Sequence, residues 1–577
     1  MKHAFSLALN GVVALALSAM AAWLALREPR SVGAVVLWLA ALLVVLWAAW
    51  RSSRHAGMDT WLVPFSQQHM WEWALVGGFT VLGFALRAYD LRHYPLPVHG
   101  DEGEMGVLAL QILNGDGPPP FATGWLDHPT LFNYLQAGSL AMWGRNEVGL
   151  RMLGAWWGAA CVPLVYAVGR IGWGRAAAMV AAWLLAVSHL HNHFSRIGLN
   201  NIQTVTALLV LFLLLMAAYQ RAAPRMMLFV GAGLVIGLSQ YLYYGSRLLP
   251  IIAVPLMWLL WRAQRAGLRN IAAMMTAFAV AYAPLGVFYL THRAQFTSRT
   301  AGVLVFSAPN VQRVLGPSAV LPRDIGPLLW EQLVRNLQFF WRTGDRSTFY
   351  SGDIIPFDAI TRTLFWIGLV VAVVGIRRWS NRMLLAWWGL GLLIGGVLTR
   401  DAPNAPRLLV IVPAVCLLGG VAAQYAWAWL HRARLWQAWH IAPFAVVVAA
   451  LTLAINIDTY FITYARSAGG LVPITAAREM IAAPRADAVL FLGPPYVYAA
   501  HGTIQFVAGA VEPQDFEGAE QVVALRENGQ RVLLVAVPER AAELDALAQQ
   551  FPGGSRTTRV DSLGRLIGAA YRFPPVR

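Results

Sequence analysis

The chain has 577 residues, of which 58% are hydrophobic and only 12% charged; an ordinary soluble domain carries roughly 25% charge. That composition excludes a soluble multidomain enzyme, a disordered chain and a disulfide scaffold, and fits a polytopic membrane protein. The net charge of +16 comes from small groups of arginines between apolar runs, which is the pattern of positive-inside loops rather than of a nucleic-acid surface.

About thirteen apolar segments read as membrane spans, at roughly 9–26, 32–50, 72–89, 147–169, 176–192, 203–219, 227–244, 248–262, 271–290, 361–377, 383–399, 407–429 and 440–459. The first has Lys2 ahead of it and Ala/Ser near 18–22, as a signal peptide would. Its long core and the second span that follows almost at once favour a retained helix. With a cytoplasmic N-terminus, the inner loops carry Arg51/Arg54, Arg170/Arg175, Arg221/Arg225, Arg262/Arg265/Arg269, Arg377/Arg378/Arg382 and Arg432/Arg434. Every short inner loop is then basic.

Acidic residues are absent between Glu147 and Asp324 and cluster at 90–147, 324–358 and beyond 458. All three regions fall outside the cytoplasm in this topology. The outer side therefore holds a first loop, 90–146, a second loop, 291–360, and a terminal region of soluble composition. The expected domains are 1–71, two extra helices with a cytoplasmic loop; 72–460, the transmembrane core; and 461–577, a small α/β domain. In that last part Ala488–Gly493 and Arg531–Val537 read as buried strands, Arg540–Phe551 as a helix and Leu566–Phe573 as a closing strand. The glycines at Gly231–Gly237 and Gly389–Gly395 lie inside apolar runs, where helix packing explains them better than a dinucleotide loop.

Lys2 is the only lysine, which excludes a Walker A loop and a pyridoxal Schiff base. Phosphate must be met by Arg, His, backbone amides or a metal. Cys161 and Cys416 sit in apolar runs and read as packing residues. The first outer loop holds His99-Gly-Asp101-Glu102-Gly-Glu104 ahead of the apolar run Met105–Leu113. On a helix Asp101 and Glu104 share a face and Glu102 turns about 100° away. A carboxylate at a membrane–water boundary suits proton abstraction or metal binding; the plain reading is a solvated acidic loop. Asp127-His128-Pro129 could orient a leaving phosphate or simply hydrogen-bond at the surface. Arg151, inside a span, calls for a partner, and Glu147 is the i,i+4 choice. His189, His191 and His193 alternate, a spacing that does not gather three ligands on one helix face. They read as polar lining of a cavity rather than a zinc site. Tyr243-Tyr244-Gly-Ser-Arg247 and Arg400-Asp401…Asn404…Arg407 form two further outer corners, read either as interface anchors or as phosphate and sugar contacts.

Taken in order, Asp101-Glu102, Asp127-His128-Pro129, Glu147…Arg151, Ser195-Arg196, the Tyr243–Arg247 corner and the Pro…Arg407 span start resemble the GT-C glycosyltransferases. More narrowly they resemble the branch of protein O-mannosyltransferases and lipid A aminoarabinose transferases. The likeness covers roughly 90–410; the leading spans and the terminal region lie outside it. It implies an all-α polytopic bundle in the plasma membrane, while the arginine pattern puts the N-terminus in the cytoplasm and the C-terminal domain outside it. The implied reaction moves a sugar from a polyprenyl-phosphate donor to an extracytoplasmic protein, lipid or glycan, with inversion. By motif, Asp101 is the implied base and Glu102 its support or a sugar contact. Asp127, His128, Arg196, Asn200, Tyr243, Tyr244, Arg247, Arg346 and Arg407 are implied substrate contacts, with Arg299 a further arginine for the departing phosphate. Many relatives carry an acid shortly after the Ser-Arg pair, where this chain has Ile197-Gly-Leu-Asn200-Asn201. An amide cannot act as a base, so a second acid falls to Asp127, to Asp345 or to none. The likeness specifies no cofactor; a divalent metal could sit on Asp101, Glu102 and His128. The competing class is a transporter or flippase of lipid-linked sugars, which calls for ionisable groups near the midplane and repeated halves.

Overall fold

A computed structural model describes residues 2–54, 70–221, 226–432, 438–467, 469–482 and 488–574. Arg225 and Arg434, two of the inner-loop arginines, lie outside the described residues. Among those described, eight helical segments are long and apolar enough to cross a membrane: Leu9–Arg27, Val32–Ser53, Glu147–Gly172, Asn201–Gln220, Tyr244–Arg262, Leu268–Thr291, Ala405–Leu430 and Pro443–Ser467. In lipid the backbone must satisfy its own hydrogen bonds, and a helix does so within one segment. The other five predicted spans fall on the helices Met70–Ala88, Arg175–Val187, Met226–Ser239, Ala359–Val374 and Trp379–Gly391, which do not reach that length and apolarity. By this measure eight of the roughly thirteen expected spans are found among the described residues.

Small residues let helix backbones meet where no hydrophobic effect drives them together. Gly233 shows it best: a Cβ there would lie against the carbonyl of Met274 on the neighbouring helix Leu268–Thr291. The glycines of that run serve packing, as its apolar context predicts. The end of the bundle away from the site is tied by buried Glu72, with Arg170 at 2.8 Å and Arg175 at 2.7 Å.

The outer segments do gather at one end. Arg30, between the first two helices, donates to the carbonyls of Gly115 (3.2 Å) and Asp116 (3.0 Å) in the first loop. Leu304 bridges to Thr399, and the Arg346 amide donates to the Pro403 carbonyl at 2.9 Å. Thr503 of the C-terminal region donates to the Val98 carbonyl at 2.7 Å.

That region is a five-stranded sheet of β1 (Ala488–Leu492), β2 (Gln514–Asp515), β3 (Val532–Ala536), β4 (Ser555–Val560) and β5 (Leu566–Arg572), in the order β2-β1-β3-β5-β4. The first three neighbours run parallel; β5 is antiparallel to β3 and β4. Helices Leu471–Ile481 and Gly502–Ala508 cover one face, Ala519–Glu527 and Ala541–Gln550 the other. Strands buried on both sides read as unbroken apolar runs, which is why β1 and β3 were visible in the sequence. β2 is two residues long, and β4 is a wholly exposed polar edge; neither has an apolar signal.

Candidate active site

The helix Gly100–Asn114 starts with an N-cap from His99, whose Nδ1 accepts the Asp101 amide at 3.1 Å. With Nδ1 accepting, the ring proton sits on Nε2 and is donated to Thr348 Oγ1 at 3.1 Å. This cap fixes the first turn. Asp101 Oδ1 lies 3.7 Å from His99 Nδ1, with its side chain about a third exposed. One residue on, Glu102 is turned into the bundle and fully buried. It meets Arg151 in a fork, Nε to Oε1 at 2.7 Å and Nη2 to Oε2 at 3.1 Å, and its Oε1 accepts the Gly198 amide at 2.8 Å. Arg151 also donates to the carbonyls of Leu91 (2.7 Å), Pro95 (2.6 Å) and Pro97 (2.8 Å).

The expected Glu147–Arg151 pair is therefore corrected. Arg151 points inward to Glu102, while Glu147 stays at the lip, 3.4 Å from Arg478 and 4.0 Å from Arg92. Glu104, on the Asp101 side of the helix, has its carboxyl pKa raised by burial and then by the Asp101 charge.

Asp101 opens on a cavity of about 490 Å³. Its walls include His128 and Trp125 of the first loop, Asn200 and Asn201 at the head of Asn201–Gln220, and Tyr243, Tyr244 and Arg247 of the first corner. Arg299 and Thr300 come from the helix Arg293–Val303, and Asn404 and Arg407 from the second corner. Three arginines thus face a space with one carboxylate, which suits an anion. Arg247 is held by the Phe296 carbonyl and Thr300 Oγ1, both at 2.9 Å, with its guanidinium 4.1 Å from the Phe296 ring centre. Its Nη2 is buried with no hydrogen-bond partner.

His128 is 4% exposed and lies parallel between the rings of Trp125 and Tyr243. Burial, then the Arg299 charge, lower its pKa to about 3. The ring is neutral at neutral pH, so it can meet a phosphate through a hydrogen bond and not through charge. Its Nδ1 is also without a partner.

Five sequence candidates do not line the cavity. Glu102 is committed to Arg151. Asp127 ties the two outer loops: its Oδ2 accepts from Ser298 at 2.6 Å and its carbonyl from the Tyr244 hydroxyl. Arg196 is buried and spends its fork on the carbonyls of Leu86, Tyr89 and Tyr94. Arg346 is exposed. Asp345, offered as a second acid, is buried and accepts the amides of Ala405 (2.8 Å) and Ser347 (2.9 Å); burial raises its pKa.

The three histidines are corrected too. They do not line the cavity but take separate partners: His189 the Tyr350 hydroxyl at 2.7 Å, His191 Arg87 at 2.8 Å, His193 the Phe349 carbonyl at 2.6 Å. Among the described residues no group of three or more His, Cys, Asp or Glu side chains is placed to hold a metal. Asp101 and His128 reach the cavity and Glu102 does not. The apolar walls Phe296 and Phe349 escaped the sequence reading, because nothing near them in the chain marks a cavity.

Residues 127–285 match the family described as dolichyl-phosphate-mannose-protein mannosyltransferase. The match takes in His128, Asn200 and the Tyr243–Arg247 corner, but not Asp101, Arg299 or Arg407. No curated protein sequence matches the chain significantly. Among solved structures it is similar to ArnT from Cupriavidus metallidurans bound to undecaprenyl phosphate, at 15% identity, over 87% of this chain and 98% of that one, with a TM-score of 0.53. It is also similar to the archaeal oligosaccharyltransferase AglB from Archaeoglobus fulgidus in complex with an inhibitory peptide and a dolichol-phosphate. There the identity is 14% over 88% of this chain and 75% of that one, with a TM-score of 0.51.

Proposed function

We infer, from a GT-C fold shared along most of its length, that this protein is an integral membrane glycosyltransferase. It takes a sugar from a polyprenyl-phosphate donor and passes it to an acceptor hydroxyl outside the cytoplasm. The observation that carries this reading is one cavity in which Asp101 faces Arg247, Arg299 and Arg407. The acceptor oxygen attacks the anomeric carbon while the bond from that carbon to the phosphate oxygen breaks. The acceptor proton passes to the Asp101 carboxylate, and the polyprenyl phosphate leaves with the bonding electrons. A single in-line displacement inverts the sugar. The leaving phosphate gains charge, and arginines aimed at it lower the barrier. His128 and Arg247 each bring an unpartnered nitrogen for a phosphate or sugar oxygen.

The prenyl tail leaves the cavity past Leu248 and Ile251. Ile251, Val254, Trp258 and Trp261 are all exposed on the outside of one helix. They recur at 3, 7 and 10 residues from Ile251, a single helical face. A separate apolar groove of about 380 Å³, lined by Val254, Trp258 and Trp261, lies along the same helix. The similarities lend no support to the transport reading. We place the chain in the plasma membrane with its N-terminus inside, and divide it at 1–71, 72–460 and 461–577.

The deciding experiment offers the purified protein a panel of polyprenyl-phosphate sugars in nanodiscs and follows sugar release by mass spectrometry. Turnover of one donor is expected; neither binding nor turnover across the panel would sink the reading. Arg247→Ala should weaken polyprenyl-phosphate binding by about tenfold to a hundredfold, the worth of a charge-assisted hydrogen bond. An unchanged affinity would return Arg247 to an interface anchor. Orientation has its own test. The native cysteines are buried, so a Ser562→Cys variant should react with an impermeant thiol reagent from outside the cell, and reaction only from the cytoplasm would reverse the topology.

A further inference from the structure

The helix that carries Asp101 has an unusual face. Gly100, Gly103 and Gly106 recur every third residue along its first two turns and so lie on one side. That side is covered by the C-terminal domain. The His501 ring packs over Gly100, so that a Cβ there would lie 3.0 Å from His501 Nε2. A Cβ on Gly103 would overlap the backbone of Gly502 and Thr503, and one on Gly106 would overlap the Phe506 ring. In the other direction, a Cβ on Gly502 would lie 2.5 Å from the Gly100 carbonyl oxygen. The two backbones touch, and only glycine on both sides permits it. Thr503 Oγ1 donates to the Val98 carbonyl at 2.7 Å, directly ahead of the His99 cap.

We propose that His501, with Gly502 and Thr503, is a positioning residue for Asp101, so that the membrane bundle and the C-terminal domain build one catalytic centre. The proposal rests on the reading of Asp101 as base. Three ties hold the Asp101 turn, each from a different part of the chain. Glu102 joins it to Arg151 in the bundle, His99 to Thr348 in the second outer loop, and Gly100 with Val98 to the C-terminal domain. The third has no substitute. Three glycines within seven residues make a weak helix on their own, because glycine gives up the most backbone freedom. The docked domain supplies the packing that holds this turn in shape. His501 is also oriented for its place: its Nδ1 accepts the Thr503 amide at 3.3 Å, so the ring is neutral and its Nε2 edge faces Gly100. Burial lowers its pKa, while the Asp101 charge pulls the other way. A base displaced by a fraction of an ångström loses its reach to the acceptor proton, while the arginines across the cavity keep their grip on the donor phosphate. The signature is therefore a loss of turnover without a loss of donor affinity.

The test uses the full-length protein in nanodiscs with its donor, comparing His501→Ala, His501→Asn, Gly103→Ala and Asp101→Asn. His501→Ala should lower kcat by about tenfold to a hundredfold, as small misplacements do, and leave donor Kd within about twofold. Hydrogen exchange of the amides at 101–106 should speed up in the same variant. His501→Asn keeps an acceptor at the cap and should restore most of the turnover. Gly103→Ala should reproduce the loss by wedging the helices apart. If either variant folds poorly, the exchange of amides 101–106 in the wild-type protein decides instead: protection below that of the rest of the helix would overturn the proposal. Full kcat in His501→Ala and Gly103→Ala, with Asp101→Asn inactive, would make the contact simple docking and overturn the proposal while sparing the base. Full activity in Asp101→Asn would remove the base itself.

Discussion

Asp101→Asn is expected to cut sugar transfer by about 10²–10⁴-fold, the usual worth of a positioned general base, while donor binding stays near normal. The amide keeps the size and the hydrogen-bonding reach of the carboxylate but cannot take a proton. The His99 cap uses the backbone amide of residue 101, not its side chain, so the helix start should survive the change. The donor phosphate is assigned to Arg247, Arg299 and Arg407, which the substitution does not touch. Turnover and donor affinity measured side by side therefore separate chemistry from binding. Undiminished turnover would remove Asp101 as base.

Glu102→Gln should instead lower stability, by about 3–5 kcal/mol, because it leaves a buried arginine without its counter-charge. Both partners are fully buried, so water cannot take over. Arg151 also carries the carbonyls of Leu91, Pro95 and Pro97, and these set the path of the chain into the Asp101 helix. For that reason the double variant Glu102→Gln/Arg151→Met should not recover stability: the three carbonyls lose their donor as well. Thermal unfolding in detergent is the measurement. A Glu102→Gln protein that unfolds like wild type but has lost turnover would restore Glu102 to a direct part in the reaction. The adjacent acids thus have separate tasks, one set toward the cavity and the other toward the bundle, because successive residues on a helix turn by about 100°.

The cavity wall shows how far local patterns carry. His128, Asn200, Tyr243, Tyr244, Arg247 and Arg407 were singled out from short polar clusters in the first outer loop and near predicted span ends, and all six line the cavity. Arg196 and Asp127 come from clusters of the same kind and serve instead to brace the loops around it. No local feature separates the two groups, since arginine in a polar corner is equally suited to a carbonyl cage and to a phosphate. Arg299 and Arg346 had the weakest sequence signals, and of the two Arg299 does reach the site, because the second outer loop folds back over the first through Ser298 and Asp127.

By itself the sequence determined a polytopic helical protein, the grouping of its acidic segments at one end, and the buried strands of its terminal domain. Those features follow from hydropathy and short-period patterning, which act within some twenty residues. Only the tertiary structure decided which acid faces the cavity, that Arg151 pairs with Glu102 across 49 residues, and that the C-terminal domain rests on the Asp101 helix across 405. Partners that far apart are chosen by packing, through the close approach that glycine allows and the cost of leaving a charge unpaired.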